Sequence, residues 1–259
     1  MAGSFAKHRE IATDEYRRLL VLGSLQVGKS SIVTRFLDNH FNERYTLTVE
    51  KSYRKYFIIR GTTYTLEIIE TSPIDPKPLR RRVSTLCGDI FLLVFSLDDH
   101  ESFDYVLQLK QQITELQSRY LENAEVPLMI CGNKKDRDFC RKVQLHEIEP
   151  LVGVENNCSY FEVSAKTNCL LNEMFQALFS MAKLPKEMNF TLHRNVSFQF
   201  CEILDKKSIM GKRVRKDGDA YGMVDPSGQS PSMRSDLMYV REKATGGGQS
   251  KDKERRSDK

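Results

Sequence analysis

The sequence predicts an α/β fold: an open, mostly parallel six-stranded sheet with helices on both faces. Three observations carry that prediction. Strand-like and helix-like patterns alternate through the first 184 residues, the order that builds parallel sheets. Ile90-Phe-Leu-Leu-Val-Phe95 is continuously apolar, as a strand covered on both faces must be. The stretch Gly23-Ser24-Leu25-Gln26-Val27-Gly28-Lys29-Ser30 lies between an apolar run and a helical pattern. In that context its G-x-x-x-x-G-K-S spacing makes a phosphate-binding loop.

Residues 1–15 read as a loosely ordered polar lead-in, and Arg17 to Leu22 as the first strand. In the loop that follows, Gly23 and Gly28 allow a tight turn and close approach of backbone to a polyphosphate. Successive N–H groups then face the β-phosphate, aided by the positive end of the next helix. Lys29 supplies a cation for the β- and γ-oxygens, Ser30 a hard oxygen ligand for Mg²⁺, and Ser31 belongs to the same nucleotide-binding set. Lys29 to Asp38 is helical, with Ile32, Val33 and Phe36 on its buried face. A polar segment runs from Asn39 to Leu47. Two strand-like runs then meet at Arg60-Gly61-Thr62, a hairpin. In the second run Tyr64, Leu66 and Ile68 alternate with Thr65 and Glu67, a half-buried pattern. Thr71 to Pro78 carries three prolines and is a loop.

After the apolar run to Phe95, a helix is expected with Phe103, Val106, Leu107, Ile113 and Leu116 on one stripe, capped by Asp98 or Asp99. Val126 to Cys131 is another buried strand. Gln144 to Val152 is a short helical stretch ended by Pro150. Tyr160 to Val163 is a last strand, and Asn168 caps a final helix that turns Leu171, Met174, Phe175 and Leu178 inward. In such a sheet, ligands sit at the carboxyl ends of the strands, where the phosphate loop falls.

Length and composition limit the alternatives. The 259 residues suffice for one good-sized core and an appendage. No apolar run approaches membrane-spanning length, and the first ten residues lack the apolar segment of a signal peptide. Six cysteines without C-x-x-C spacing, several in apolar surroundings, point to reduced thiols rather than disulfides or zinc ligands. The five histidines form no ligand pair. Residues 185–259 hold 16 Lys and Arg against 11 Asp and Glu, which accounts for the whole net charge of +5. Helical and strand periodicity fades after Pro185, so 185–259 reads as a basic, largely disordered extension. Its Lys206–Lys216 stretch has six basic residues and no acidic one. That stretch is either a solvated linker or a binding element.

Two further signals lie at strand ends: Asn133-Lys134-Lys135-Asp136 and Ser164-Ala165-Lys166. An aspartate placed there accepts hydrogen bonds from guanine N1–H and N2–H₂, donors that adenine lacks on that edge. The Lys134 and Lys166 stems suit the two faces of the base, and the Ala165 N–H suits its O6.

With these motifs in this order, residues 16–184 resemble the Ras superfamily of small GTPases, and the resemblance implies a GTP/GDP-binding domain with Mg²⁺. It implies that Phe41 packs on the base edge, that Thr48 ligands Mg²⁺ and senses the γ-phosphate, and that Tyr45, Thr46, Leu47, Thr48, Val49 and Glu50 form the effector segment. Glu70-Thr71-Ser72-Pro73 stands where the family has Asp-x-x-Gly, so Glu70 is expected to hold the metal through water. Arg80-Arg81-Arg82, Gly88-Asp89-Ile90-Phe91, Cys131 to Asp138, Met181 to Pro185 and Ser235 to Lys243 are similar to the Dexras/Rhes subgroup.

Several positions depart from the family pattern. Pro73 lacks the N–H that meets the γ-phosphate. Ile74 stands at the position of the glutamine that orients water, and Leu25 crowds the approach of an arginine finger. Slow GTP hydrolysis follows, in a switch; the other reading is a nucleotide-stabilised adaptor that binds partners whatever its γ-phosphate. The subgroup ends in a prenylation box, but Arg256 stands where its cysteine would be, so no prenyl anchor is expected. The expectation is a cytoplasmic protein touching the anionic inner face of the plasma membrane transiently through its basic tail. Regulatory and effector proteins, with heterotrimeric G-protein subunits among them, are the partners the resemblance implies. No nucleic-acid partner is expected. Lys51 after Glu50 reverses one charge of the acidic effector edge, which weakens binding to basic Ras-effector domains.

Overall fold

Apolar side chains on both faces of Ile90–Ser96 require cover on two sides, and every residue of this strand, β4, is buried. The structure is a computed structural model that describes residues 15–44, 50–60, 62–71, 85–120, 126–152, 157–188, 221–225 and 232–244. The other strands are β1 (Glu15–Leu22), β2 (Glu50–Ile59), β3 (Thr62–Thr71), β5 (Leu128–Asn133), β6 (Cys158–Glu162) and β7 (Tyr221–Asp225). They form one sheet in the order β6-β5-β4-β1-β3-β2-β7. β1, β3, β4, β5 and β6 run parallel, and β2 pairs antiparallel with β3 across the hairpin at Arg60. The first six strands are those the sequence predicts. β7, from the basic extension, is added antiparallel to β2, from Arg54 opposite Asp225 to Ile58 opposite Tyr221.

Among the described residues the sheet is accompanied by the α-helices α1 (Lys29–Asp38), α2 (His100–Tyr120), α3 (Leu145–Ile148), α4 (Leu171–Met181) and α5 (Met233–Ala244). α1 and α4 cover one face, with Phe36 stacked on Phe175 at 4.2 Å between ring centroids. α2 covers the other face and buries Phe103, Val106, Leu109, Ile113 and Gln117. Leu107 and Leu116, placed on that stripe by the sequence, lie half-buried on its flank, because the 3–4 spacing continues through Leu109 instead. Asp98 does not serve as the cap of α2, since its carboxylate is taken by Ser96, Arg137 and Lys134. Asn168 does not cap α4 either. Leu170 precedes that helix in a left-handed conformation, and the Asn168 amide faces Asn39. Pro150 lies inside a 3₁₀ turn (Glu149–Leu151) that follows α3, so the α-helix stops before it.

The alternation expected of β3 is also corrected. Leu66 to Glu70 is buried on both faces, and Glu67 is wholly enclosed. Its carboxylate accepts from Arg18 Nε at 2.8 Å, from Arg54 Nε at 3.2 Å and from the Tyr16 hydroxyl. A buried charge survives there because its oxygens are paired. The cysteines at 87, 131, 140, 158 and 169 are free thiols, as expected, and among the described residues no helix is long and apolar enough to cross a membrane.

One buried cation lies within the apolar core. Lys55, on β2, is fully enclosed, with Nζ 4.5 Å from the Phe36 ring centroid, 5.2 Å from that of Phe57, and 3.4 Å from the Phe36 carbonyl oxygen. Burial pushes its ammonium down to about 7, against the pull of Asp38. Between that value and the ordinary lysine range the unfolded chain binds the extra proton, so stability rises with pH across this window. It is lost as pH falls toward 7. We expect a slope of up to about 1.4 kcal/mol per pH unit from this group. Urea denaturation at pH 7 and pH 9 should reveal the slope in the wild type, and Lys55→Met should flatten it.

Candidate functional site

The carboxyl ends of β1, β4, β5 and β6 converge on the loop between β1 and α1. Gly23 and Gly28 both have positive φ, 146° and 94°, and Gln26 lies in the left-handed region between them. The glycines make room for the protein as well as for a ligand. A Cβ at Gly23 would lie 2.0 Å from the Val94 carbonyl oxygen, and one at Gly28 would lie 2.2 Å from Asn133 Nδ2. The loop is thus packed against β4 and β5 at the two positions where side chains are absent.

Asn133, at the end of β5, holds three segments together. Its Nδ2 donates to the Val27 carbonyl at 2.8 Å, and its Oδ1 accepts from the Ala165 N–H at 3.1 Å. The Ala165 N–H, read from the sequence as a donor to the base, is therefore already engaged and reaches a purine only as a shared donor. Asp136 faces solvent, with one carboxylate oxygen fixed by the Ser164 hydroxyl at 2.5 Å. Lys134 takes a left-handed conformation, and its ammonium lies 3.6 Å from Asp98. Against the cost of partial burial, the Ser96 hydroxyl, then Lys134 and Arg137, hold the Asp98 carboxyl below its usual range. Lys166 is exposed beside Glu43 at 3.7 Å.

At the phosphate end, Lys29 folds back so that Nζ donates to the carbonyls of Gly23 at 3.0 Å and Ser24 at 2.6 Å. Burial pushes this ammonium down to about 8, opposed by Glu70. Ser30 Oγ donates to Glu70 Oε1 at 2.5 Å, while Oε2 of this fully buried carboxylate has no hydrogen-bond partner among the described residues. Burial pushes the Glu70 carboxyl up, against Ser30, Lys29 and Lys51. An enclosed carboxylate with an orphaned oxygen, beside a hydroxyl, suits a hydrated divalent cation. Ser30 and Glu70 therefore fit the metal assignment made from the sequence. Among the described residues no group of three or more His, Cys, Asp or Glu forms a metal cluster, so other oxygens must complete the shell.

Ser24, Leu25 and Ser31 are half-buried along the loop, Val27 is buried, and Phe41 packs on the core edge. Glu50 opens β2 opposite Thr71. Tyr45 to Val49, with Thr48, lie outside the described residues, as do Ser72, Pro73 and Ile74. One residue that sequence reasoning missed is Arg35. Its guanidinium donates to the carbonyls of Ala165 and Lys166, both at 2.9 Å, and lies 5.7 Å from the Phe41 ring centroid. It ties the Ser164–Lys166 loop to α1 and to the aromatic edge. The available signal was a basic residue in the last turn of a helix, which helix-end electrostatics alone would explain.

Comparison with known proteins agrees with this geometry. A family model described as the Ras family matches residues 18–184. The chain is 49% identical over 243 residues to the human "GTP-binding protein Rhes", covering 92% of this chain and 91% of that protein. It is 35% identical over 199 residues to "GTP-binding protein Di-Ras2" of Pongo abelii, covering 77% and 92%. It is 34% identical over 183 residues to "GTP-binding protein drn-1" of Caenorhabditis elegans, covering 70% and 82%.

The Asn133 brace makes two substitutions interdependent. Gly28→Ala pushes a methyl into the amide that Asn133→Ala removes. Each should destabilise the protein by about 2 kcal/mol, and together they should fall short of the sum by about 1 kcal/mol. Chemical denaturation of the two single variants and the double variant measures this.

Proposed function

This chain belongs to the Ras family, and we propose that it is a guanine-nucleotide switch in signal transduction that hydrolyses GTP slowly. Ras-family proteins bind GTP and GDP and hydrolyse GTP. The observation that carries the guanine assignment here is the Asn133 brace, which joins the phosphate loop to the segment bearing Asp136. In this reading the carboxylate of Asp136 accepts from guanine N1–H and N2–H₂, and Ser164 keeps that carboxylate aimed. Lys134, Lys166 and Phe41 enclose the base. Lys29 is held by carbonyls until a polyphosphate replaces them, and residues 23–31 surround that polyphosphate with backbone N–H groups. Ser30, Thr48 and, through water, Glu70 would hold Mg²⁺, which neutralises charge on the β- and γ-oxygens.

Slow hydrolysis rests on three side chains. Ile74 offers no polar group to orient water, Pro73 offers no N–H to the γ-phosphate, and Leu25 obstructs a finger supplied in trans. Pro73 also favours a second reading, an adaptor that keeps nucleotide for stability and binds partners alike in both states. Comparing partner binding with GDP and with a non-hydrolysable GTP analogue separates the two. Modulation of heterotrimeric G-protein signalling, a cytoplasmic location and transient contact with anionic membrane through Lys206–Lys216 complete the proposal.

Two outcomes test it. Equilibrium binding in magnesium buffer should favour GDP over ADP. Asp136→Ala should cost about 3 kcal/mol, roughly 100-fold in affinity for GDP, and remove the preference. A surviving preference refutes the base assignment. In single-turnover hydrolysis, Pro73→Gly combined with Ile74→Gln should raise the rate by roughly ten-fold or more, since both groups act on the transition state. A wild-type rate that this pair leaves unchanged would remove the argument for slow chemistry.

A further inference from the structure

The stretch Ser235 to Lys243 lies far from the nucleotide site in sequence, and that site gives it no task. It forms most of α5, and Asp236, Tyr239 and Lys243 fall at i, i+3 and i+7 on one helical face. That face meets the sheet through polar contacts. Arg18 Nη1 donates to Asp236 Oδ1 at 2.8 Å, and both side chains are almost entirely out of solvent. The same guanidinium lies 4.6 Å from the Tyr239 ring centroid and donates through Nε to Glu67. The Tyr239 hydroxyl donates to Asp89 Oδ2 at 2.6 Å, and its ring meets that of Tyr16 edge-on at 5.8 Å. Lys243 Nζ donates to the Gly88 carbonyl at 2.6 Å and lies 3.1 Å from Asp89 Oδ1. Cys87 Sγ donates to the Asp236 carbonyl at 3.3 Å.

A helix held this way resists gradual release. Departure of α5 would take the Asp236 carboxylate from a buried arginine, so partial release is unfavourable and the contact is made or broken as a unit. Arg18 and its buried partner Glu67 both lie on strands that lead to the phosphate site. Arg18 is on β1, which runs into Gly23. Glu67 is on β3, three residues before Glu70, which accepts from Ser30.

We propose that this part of the sheet, formed by Tyr16, Arg18, Glu67 and Cys87 to Asp89, is a second binding site whose ligand is the chain's own segment 233–244, and that its occupancy slows nucleotide release. The inference rests on the guanine-nucleotide reading above. It is an interaction in cis, specified by the Asp-x-x-Tyr-x-x-x-Lys spacing, and it couples the extension to the pocket through rigid strands.

The test uses the full chain carrying Asp236→Ala and Tyr239→Phe. Amide hydrogen exchange across 233–244 reports docking, and release of a fluorescent GDP reports coupling. Exchange should accelerate in that segment, and GDP should leave at least three-fold faster. Unchanged exchange overturns the docking contacts, and faster exchange with unaltered GDP release overturns the coupling. Should the double variant fail to fold, Tyr239→Phe and Lys243→Ala, each removing a rim contact, must still move both readouts together. A wild-type chain that retains no GDP overturns the nucleotide reading and this coupling with it, whereas retention without response overturns the coupling alone.

Discussion

The carboxamide of Asn133 is the contact on which the site depends. One side chain, buried at the end of β5, bonds the phosphate loop through Val27 and the Ser164–Lys166 loop through the Ala165 N–H. Both are backbone groups with no strand or helix partner of their own, so the amide supplies hydrogen bonds that secondary structure cannot. The geometry leaves no space between brace and loop, because a methyl at Gly28 would strike the amide nitrogen. The phosphate loop and the Ser164–Lys166 loop are therefore tied to each other through one side chain. Recognition of a whole nucleotide, rather than of phosphate alone, requires such a tie.

Most of the fold was legible in the sequence because its elements obey simple periods. Ile32, Val33 and Phe36 on α1, and the unbroken apolar runs of β4 and β5, leave little choice of element or cover. The failures share one cause. Glu67 looked like the solvent side of an alternating strand, because the partner nearest it in sequence, Arg54 across the hairpin, is itself partly exposed. Its partner Arg18 is 49 residues away, and the cover over both, Asp236 and Tyr239, lies more than 160 residues further on. Local polarity thus described a face that distant polarity buries. The same limit hid β7, whose five residues become a strand only by pairing with the edge of β2. Arg35 was missed for the complementary reason, since its partners are backbone carbonyls and carry no residue-type signature.

The site shows a division between what is kept and what is altered. Lys29 and Ser30 open α1, Asn133 ends β5, and Asp136 follows it in a 3₁₀ turn. The departures Pro73 and Ile74 fall beyond Thr71, where β3 ends. Glu70 stands between these groups. Its longer side chain still reaches Ser30, whose hydroxyl donates to it.

The extension returns to the domain it leaves, at nearly the same place. Glu187 pairs with Arg60 at the tip of the β2–β3 hairpin, and Tyr221 re-enters opposite Ile58, beside that tip. Residues 189–220 therefore connect two anchored points on one edge of the sheet. Doubling such a connection costs only about 0.6 kcal/mol in closure entropy. A change in the length of this stretch, with its cluster of basic residues, thus falls between two anchors at the end of the strands opposite the phosphate loop.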